Sequence, residues 1–204
     1  MADVQNIITD SLVFLRDAIN AAISNINSES TGTHIVLGNA AIADDGVADN
    51  TGPLEDTLLL SLFKVEEEFA LKNKPAHRRN PATGQIEKIA PPSYLNLHVL
   101  VTARNNNYET ALTKLSQLIG YLRYQTVFDN RTATTPDMDV PRFRFNLSMV
   151  TLSYEQLNHI WGIMGGKHYP CVMYKLQLVE IQYEPDNPDS ALPIEEIHLQ
   201  EKIY

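Results

Sequence analysis

The chain has 204 residues, 44% hydrophobic and 20% charged, the balance of one soluble α/β-type domain with or without extended appendages. Its formal net charge of −9 argues against wholesale binding to nucleic acid or to an anionic membrane, because phosphate contacts need clustered Lys and Arg. No apolar run approaches the ~20 residues of a membrane helix, and the start, MADVQNIITD, lacks a basic segment followed by an apolar one, which predicts no membrane span and assembly in the cytoplasm. In chain order, residues 4 to 26 come first. They place Val4, Ile7, Ile8, Leu12, Leu15, Ile19, Ile23 and Ile26 at spacings of three and four, with Asp3 positioned to cap, and predict an amphipathic helix. Residues 28 to 55 are rich in Gly, Ser, Thr, Asn and Asp. Within them THIVLG is a short strand candidate and ADDGVADNTG reads as loop.

TLLLSLFKVEEEF begins apolar on both faces and turns acidic at Glu66, Glu67 and Glu68, so it predicts a strand buried at one end and exposed at the other. Residues 72 to 93 follow as a long excursion between two strands, with four prolines and a Pro81–Gly84 turn signal. Lys72, Lys74, Arg78, Arg79 and Lys88 stand there against Glu87, a local charge of +4 that leaves −13 on the rest. Two readings are open: a solvated loop, or a loop that docks on an acidic partner surface.

In YLNLHVLVTA, Leu95, Leu97, Val99 and Val101 share one face, with Tyr94, Asn96, His98 and Thr102 on the other, a half-covered strand. Asn106 lies three residues before Glu109 in a capping arrangement. Tyr108, Ala111, Leu112, Leu115, Leu118, Ile119 and Leu122 then form the stripe of a helix over 107–124 that covers a sheet face. RFRFNLSMV alternates, with Phe143, Phe145, Leu147 and Met149 inward and Arg142, Arg144, Asn146 and Ser148 outward. Ser153 and Gln156 predict a capping box for a helix carrying Leu157, Ile160, Trp161 and Met164 and ending at Gly165-Gly166. CVMYKLQLVEIQY is a further strand whose change of face near Leu178–Val179 predicts a bulge. Prolines at 185, 188 and 193 keep the remainder extended until Ile194, so residues 184–204 read as a tail.

Little of this is reactive chemistry. A single cysteine, Cys171, excludes an internal disulfide and an all-cysteine zinc site, and its apolar strand context reads as core packing. His34, His77, His98, His159, His168 and His198 show neither H-x-x-H nor H-E-x-x-H spacing, so no metal site is predicted. There is no G-x-S-x-G elbow, no phosphate-binding loop and no C-x-x-C, and GIMGGKH is better explained as helix capping than as a cofactor site. Of the three consecutive glutamates only Glu66 and Glu68 share a strand face, and a solvated strand end accounts for them without an acid–base role. The sequence therefore predicts no catalytic residue, no cofactor and no metal.

The order LFKVEEEFALKN, then PPSYLNLHVLVTARNNNYETALTKLSQLIGYLRYQTVF, then LSYEQLNHIWGIMGGKHYPCVMYKLQLVEI resembles the N-terminal domain family of cap, or tail terminator, proteins of extracellular contractile injection systems, which are phage-tail-like particles. Pro92 with Tyr94-Leu95-Asn96-Leu97, Tyr108 with Ala111-Leu112, Leu115-Ser116, Phe128, Leu157-Asn158-Ile160-Trp161, Pro170 and Tyr174-Lys175 carry the likeness, over roughly residues 1–183. It implies an α+β fold, a mixed or antiparallel sheet flanked by helices, with no catalytic residues to transfer. It also implies a homo-oligomeric ring, a hexamer, on the distal end of the inner tube under the last sheath layer, and hence residence in an extracellular particle after assembly.

Such a protein must offer surfaces rather than a pocket, and a ring needs heterologous contacts that close. The basic loop, through Lys72, Lys74, Arg78 and Arg79, and the tail, through Ile194, Ile197, Leu199, Ile203 and Tyr204, are the candidate interfaces on a 1–183 domain with a 184–204 appendage. An assembly chaperone or adaptor that binds sheath, tube or cargo without staying in the particle is the alternative reading.

Overall fold

The apolar stripe of the first helix sets the fold. Helix α1 (Ile7–Asn27) buries Ile7, Leu12, Leu15, Ile19 and Ile23, as spacing of three and four requires. In the computed structural model, residues 6–30, 32–41, 57–68, 77–79, 86–88, 93–104, 107–129, 143–166, 168–181 and 190–191 are described, apart from the side chains of 77–79, 86–88, 178–181 and 190–191. Asp3, the expected cap of α1, lies outside them. Asn6 stands at the N-cap without a side-chain cap bond. Ile26 departs from the expected stripe and is exposed, because the α1 members of the core stop at Ile23, one turn earlier.

Strands β1 (Ile35–Leu37) and β2 (Thr57–Glu67) pair in parallel. β2 is buried through Leu58–Ser61 and exposed from Leu62 to Glu66, the two-ended strand that its apolar-to-acidic gradient predicts. β3 (His77–Arg79) and β4 (Ile86–Lys88) form an antiparallel hairpin inside the basic excursion. β5 (Ser93–Arg104) then runs antiparallel to β2. Helix α2 (Tyr108–Tyr124) is capped by Asn107, whose side chain accepts from the backbone of Glu109 and Thr110. The cap is thus one residue later than the expected Asn106, since an Asn side chain reaches backbone N–H groups two and three residues on.

β6 (Val127–Asp129), β7 (Arg144–Val150), α3 (Tyr154–Ile163) and β8 (Cys171–Ile181) complete the main body, and β9 (Ser190–Ala191) joins the hairpin. The capping box of α3 is present, with Ser153 Oγ accepting from the Gln156 N–H and Gln156 Oε1 from the Ser153 N–H. Gly165 and Gly166 end that helix at φ 93° and 83°, a conformation that only glycine adopts without strain, and Gly166 N–H returns to the Trp161 carbonyl.

The main sheet has six strands in the order β1-β2-β5-β8-β7-β6, antiparallel except at β1–β2, so the fold is α+β. Helices α1 and α2 cover one face. There Leu97, Val99, Val101, Leu118, Phe145 and Leu176 are essentially inaccessible, and Phe145 stacks on Phe128 and Phe143. Each such side chain contributes about 1.5–3 kcal/mol of burial.

The other face is not left open along the whole of β5, as half-coverage would predict. Ile160 of α3 packs on Leu100 and Met173, forming a second, smaller core. Met149, expected inward after Phe143, Phe145 and Leu147, is exposed. It pairs with Tyr174 of β8, but β6 reaches only as far as Asn146, so no strand pairs with β7 on the outer side of Met149 among the described residues. The expected bulge in β8 is real: Gln177 and Leu178 lie between Leu176, opposite Leu97, and Val179, opposite Leu95. A second bulge, unforeseen, puts Phe63 between Leu62, opposite Val99, and Lys64, opposite His98.

Candidate assembly surface

Past the cover of α3, the outer face of the sheet is polar. The registers align Lys64, His98, Lys175 and Ser148 in one row across β2, β5, β8 and β7. Glu66 sits beside that row, its Oε2 3.1 Å from His98 Nε2 and 3.6 Å from Lys64 Nζ. The hydrogen bond from His98, then the charges of Lys64 and Lys175, hold the Glu66 carboxyl below the usual carboxylate range. Glu68 is engaged separately, accepting from Asn96 Nδ2 at 3.0 Å. Glu66 and Glu68 are therefore bound to different partners rather than facing a shared proton, which is the arrangement of a solvated strand end and not of an acid–base pair.

His34, the one buried histidine among the described residues, also lacks catalytic geometry. His34 Nε2 lies 3.1 Å from Ser24 Oγ and 3.3 Å from Glu29 Oε2, while Nδ1 is buried with no hydrogen-bond partner. A triad needs the hydroxyl and the carboxylate on opposite ring nitrogens, so that the carboxylate orients the base. Here both address the same nitrogen. Burial pushes the His34 pKa below its ordinary value, opposed by Glu29 and assisted by Lys114. Burial raises the Cys171 thiol, consistent with packing rather than reactivity. Among the described residues no group of three or more His, Cys, Asp or Glu side chains gathers as a metal site, and no helix is long and apolar enough to cross a membrane.

What the fold does present is edges. On β1 the amide of Asn20 occupies the outer side: Oδ1 accepts from the N–H groups of His34 and Ile35 at 2.8 and 2.9 Å, and Nδ2 donates to the Ile35 carbonyl at 3.0 Å. On β6 the side chain of Gln125 donates to the Val127 carbonyl. Both terminal strands thus carry a side-chain amide where another strand would bond. β2 differs. β1 pairs only with Leu58–Leu60, so the stretch from Leu62 to Glu67 has no strand on its outer side among the described residues. Leu62, Phe63 and Val65 are 39%, 36% and 45% exposed on it.

Of the expected interface residues, Arg78 and Arg79 stand on β3, opposite Glu87 and Ile86 of β4. Lys72, Lys74, Ile194, Ile197, Leu199, Ile203 and Tyr204 lie outside the described residues. The basic excursion and the tail nevertheless meet. β4 pairs with β9, Ile86 opposite Ala191 and Glu87 opposite Ser190, in a three-stranded sheet of order β3-β4-β9.

Residues 13–196 match the Pvc16 N-terminal domain family. The chain belongs to that family. Among solved structures it is similar to the sheath/tube terminator of PVC, an extracellular contractile injection system, in its extended state. That match has a TM-score of 0.61 at 14% identity and covers 98% of this chain and 65% of the terminator. The chain therefore spans just under two thirds of that terminator's length. It is also similar to the tube-terminating cap of the anti-feeding prophage, with a TM-score of 0.46 at 13% identity, over 71% of this chain and 49% of the cap. No curated protein sequence matches it.

For this member of the Pvc16 N-terminal domain family, charge and hydropathy patterns single out the basic excursion and the tail but not the outer side of β2. TLLLSLFKVEEEF predicts a strand buried at one end and exposed at the other without fixing where the change comes, and the structure puts it at Leu62. Only the acidic Glu66–Glu68 hinted that cover ends early. The Asn20 and Gln125 plugs had no sequence signal, since each bonds backbone that only the fold brings near.

Proposed function

We propose that the chain is the terminator of a contractile injection particle, a ring seated on the distal end of the inner tube and against the last sheath layer that ends polymerisation of both. The observation that carries this reading is family membership over residues 13–196, supported by a fold that follows a sheath/tube terminator over 98% of the chain. The surface chemistry is in keeping with it: a polar sheet face, an open strand edge and a basic hairpin, with the Glu66–His98 and His34–Ser24 contacts arranged for structure rather than catalysis.

The ring is a homohexamer made by heterologous contacts, each subunit presenting one surface to the subunit ahead and a different one to the subunit behind. Assembly takes place in the cytoplasm, and the ring leaves as part of an extracellular particle. The basic hairpin docks on acidic groups of sheath, tube or the adjoining subunit, and the segment after β9, with Ile194, Ile197, Leu199, Ile203 and Tyr204, holds subunits together.

Electron microscopy of particles from a strain lacking this gene tests the reading. Baseplates should form while sheath–tube particles are absent or of variable length. Particles of normal number and uniform length overturn it.

A further inference from the structure

Natural sheets protect their edges, because an unpaired row of N–H and C=O groups is a template for another strand. This sheet protects two of its edges by side-chain amides, Asn20 at β1 and Gln125 at β6, and among the described residues no strand pairs with a third, the outer side of β2 from Leu62 to Val65. The ladder fixes which groups face out there. Leu58 N–H bonds the His34 carbonyl and the Leu60 carbonyl accepts from Gly38 N–H, so these residues turn toward the β1 side. Leu62 continues that alternation. The Phe63 bulge then adds one residue, and Val65, opposite Leu97, takes up the outward role.

We propose that this edge receives residues 192–204 of a second copy of the chain as an added strand, making the heterologous contact of the ring. The proposal rests on the terminator reading for the existence of a ring and adds where its subunits join. The donor segment has the right pattern. Leu62 and Val65 are three residues apart, but the bulge makes them two ladder steps apart, opposite Val99 and Leu97. An incoming strand with apolar residues at period two can cover both, and Ile197 and Leu199 have that spacing.

The donor also has the reach. β9 fixes Ser190 and Ala191 to β4 of their own subunit, and the thirteen residues 192–204 that follow extend up to about 43 Å as a strand. Leu62 and Val65, which are part-exposed, gain apolar cover, and their outward backbone groups, on which no strand pairs among the described residues, gain partners.

Val65→Pro is the direct test, since proline removes an N–H that points away from the β5 ladder and is tolerated on an edge strand. Its thermal midpoint should stay within a few degrees of wild type while the ring dissociates in light scattering. A second measurement stands if that variant misfolds. Two tagged copies, one Val65→Cys and one Ile197→Cys, both with Cys171→Ala, are co-expressed with the particle, and a disulfide between the two tags is expected on non-reducing gels. If the disulfide forms only when both cysteines are placed in one chain, the segment covers its own edge and the proposal fails. If particles are capped normally with no disulfide in either arrangement, the edge is not the junction, although the terminator reading stands. Loss of capping reads on the terminator function and is scored separately by particle length.

Discussion

Asn20 holds Ile35 as a neighbouring strand would, accepting from its N–H at 2.9 Å and donating to its carbonyl at 3.0 Å. A third bond, from the His34 N–H at 2.8 Å, completes the clamp. β1 has only three residues and one paired neighbour, so these side-chain bonds are a large part of what fixes it. Asn20→Ala leaves three backbone groups to find water in a half-buried site. It should lower stability by about 2 kcal/mol and the thermal midpoint by ~4–8 °C. Calorimetry checks this, and a change under 1 °C would show that the clamp is replaceable by solvent.

Next to that clamp, His34 couples stability to pH. Its folded pKa lies below the ordinary value of about 6.5 because burial disfavours the charged ring, with Lys114 adding to the effect and Glu29 opposing it. The unfolded chain therefore binds the proton more readily. Stability is fully present above pH ~6.5 and is lost as pH falls from there toward the folded value. Unfolding by urea at pH 7.5 and 5.5 should show a loss in wild type that is smaller in His34→Gln. Equal losses in both proteins would assign the acid sensitivity to carboxylates instead.

Much of this architecture was legible beforehand because it depends on periodicity. The inner members of the α1, α2 and α3 stripes, the Ser153–Gln156 box and the Gly165-Gly166 stop are local patterns that tertiary contacts did not override, whereas Ile26, Tyr108 and Leu112, expected on the same stripes, are exposed. What escaped was set by register and by edges. Met149 continues the alternation of Phe143, Phe145 and Leu147, yet is exposed because β6 is short. Phe63 bulges close to where β2 passes from its buried to its exposed half, a shift of register that an apolar run does not signal. The candidate surface was partly legible, since the +4 excursion announces itself by charge, whereas its pairing with β9 joins segments a hundred residues apart.

The main core should respond to truncation in proportion to its burial. Leu118 is inaccessible at the centre of α2, and Leu115, on the same stripe, is only half-buried. Leu118→Ala should cost about 2–5 kcal/mol and Leu115→Ala clearly less. Chemical denaturation of the two variants checks the order. A larger loss at Leu115 would mean that this position is buried against a further surface in the protein measured.

The hairpin arginines should separate attachment from ring formation. Arg78 stands opposite Glu87 in the ladder and Arg79 opposite Ile86. Exposed ion pairs contribute only about 0–1 kcal/mol each, but a ring repeats each contact around its axis, so small terms add across subunits. Arg78→Glu with Arg79→Glu should leave the ring intact by light scattering and reduce its retention on purified particles. The wild-type ring should itself be released progressively by salt, as screening of exposed charges requires. If the double reversal caps particles as well as wild type at every salt concentration, the arginines are solvated and attachment lies elsewhere.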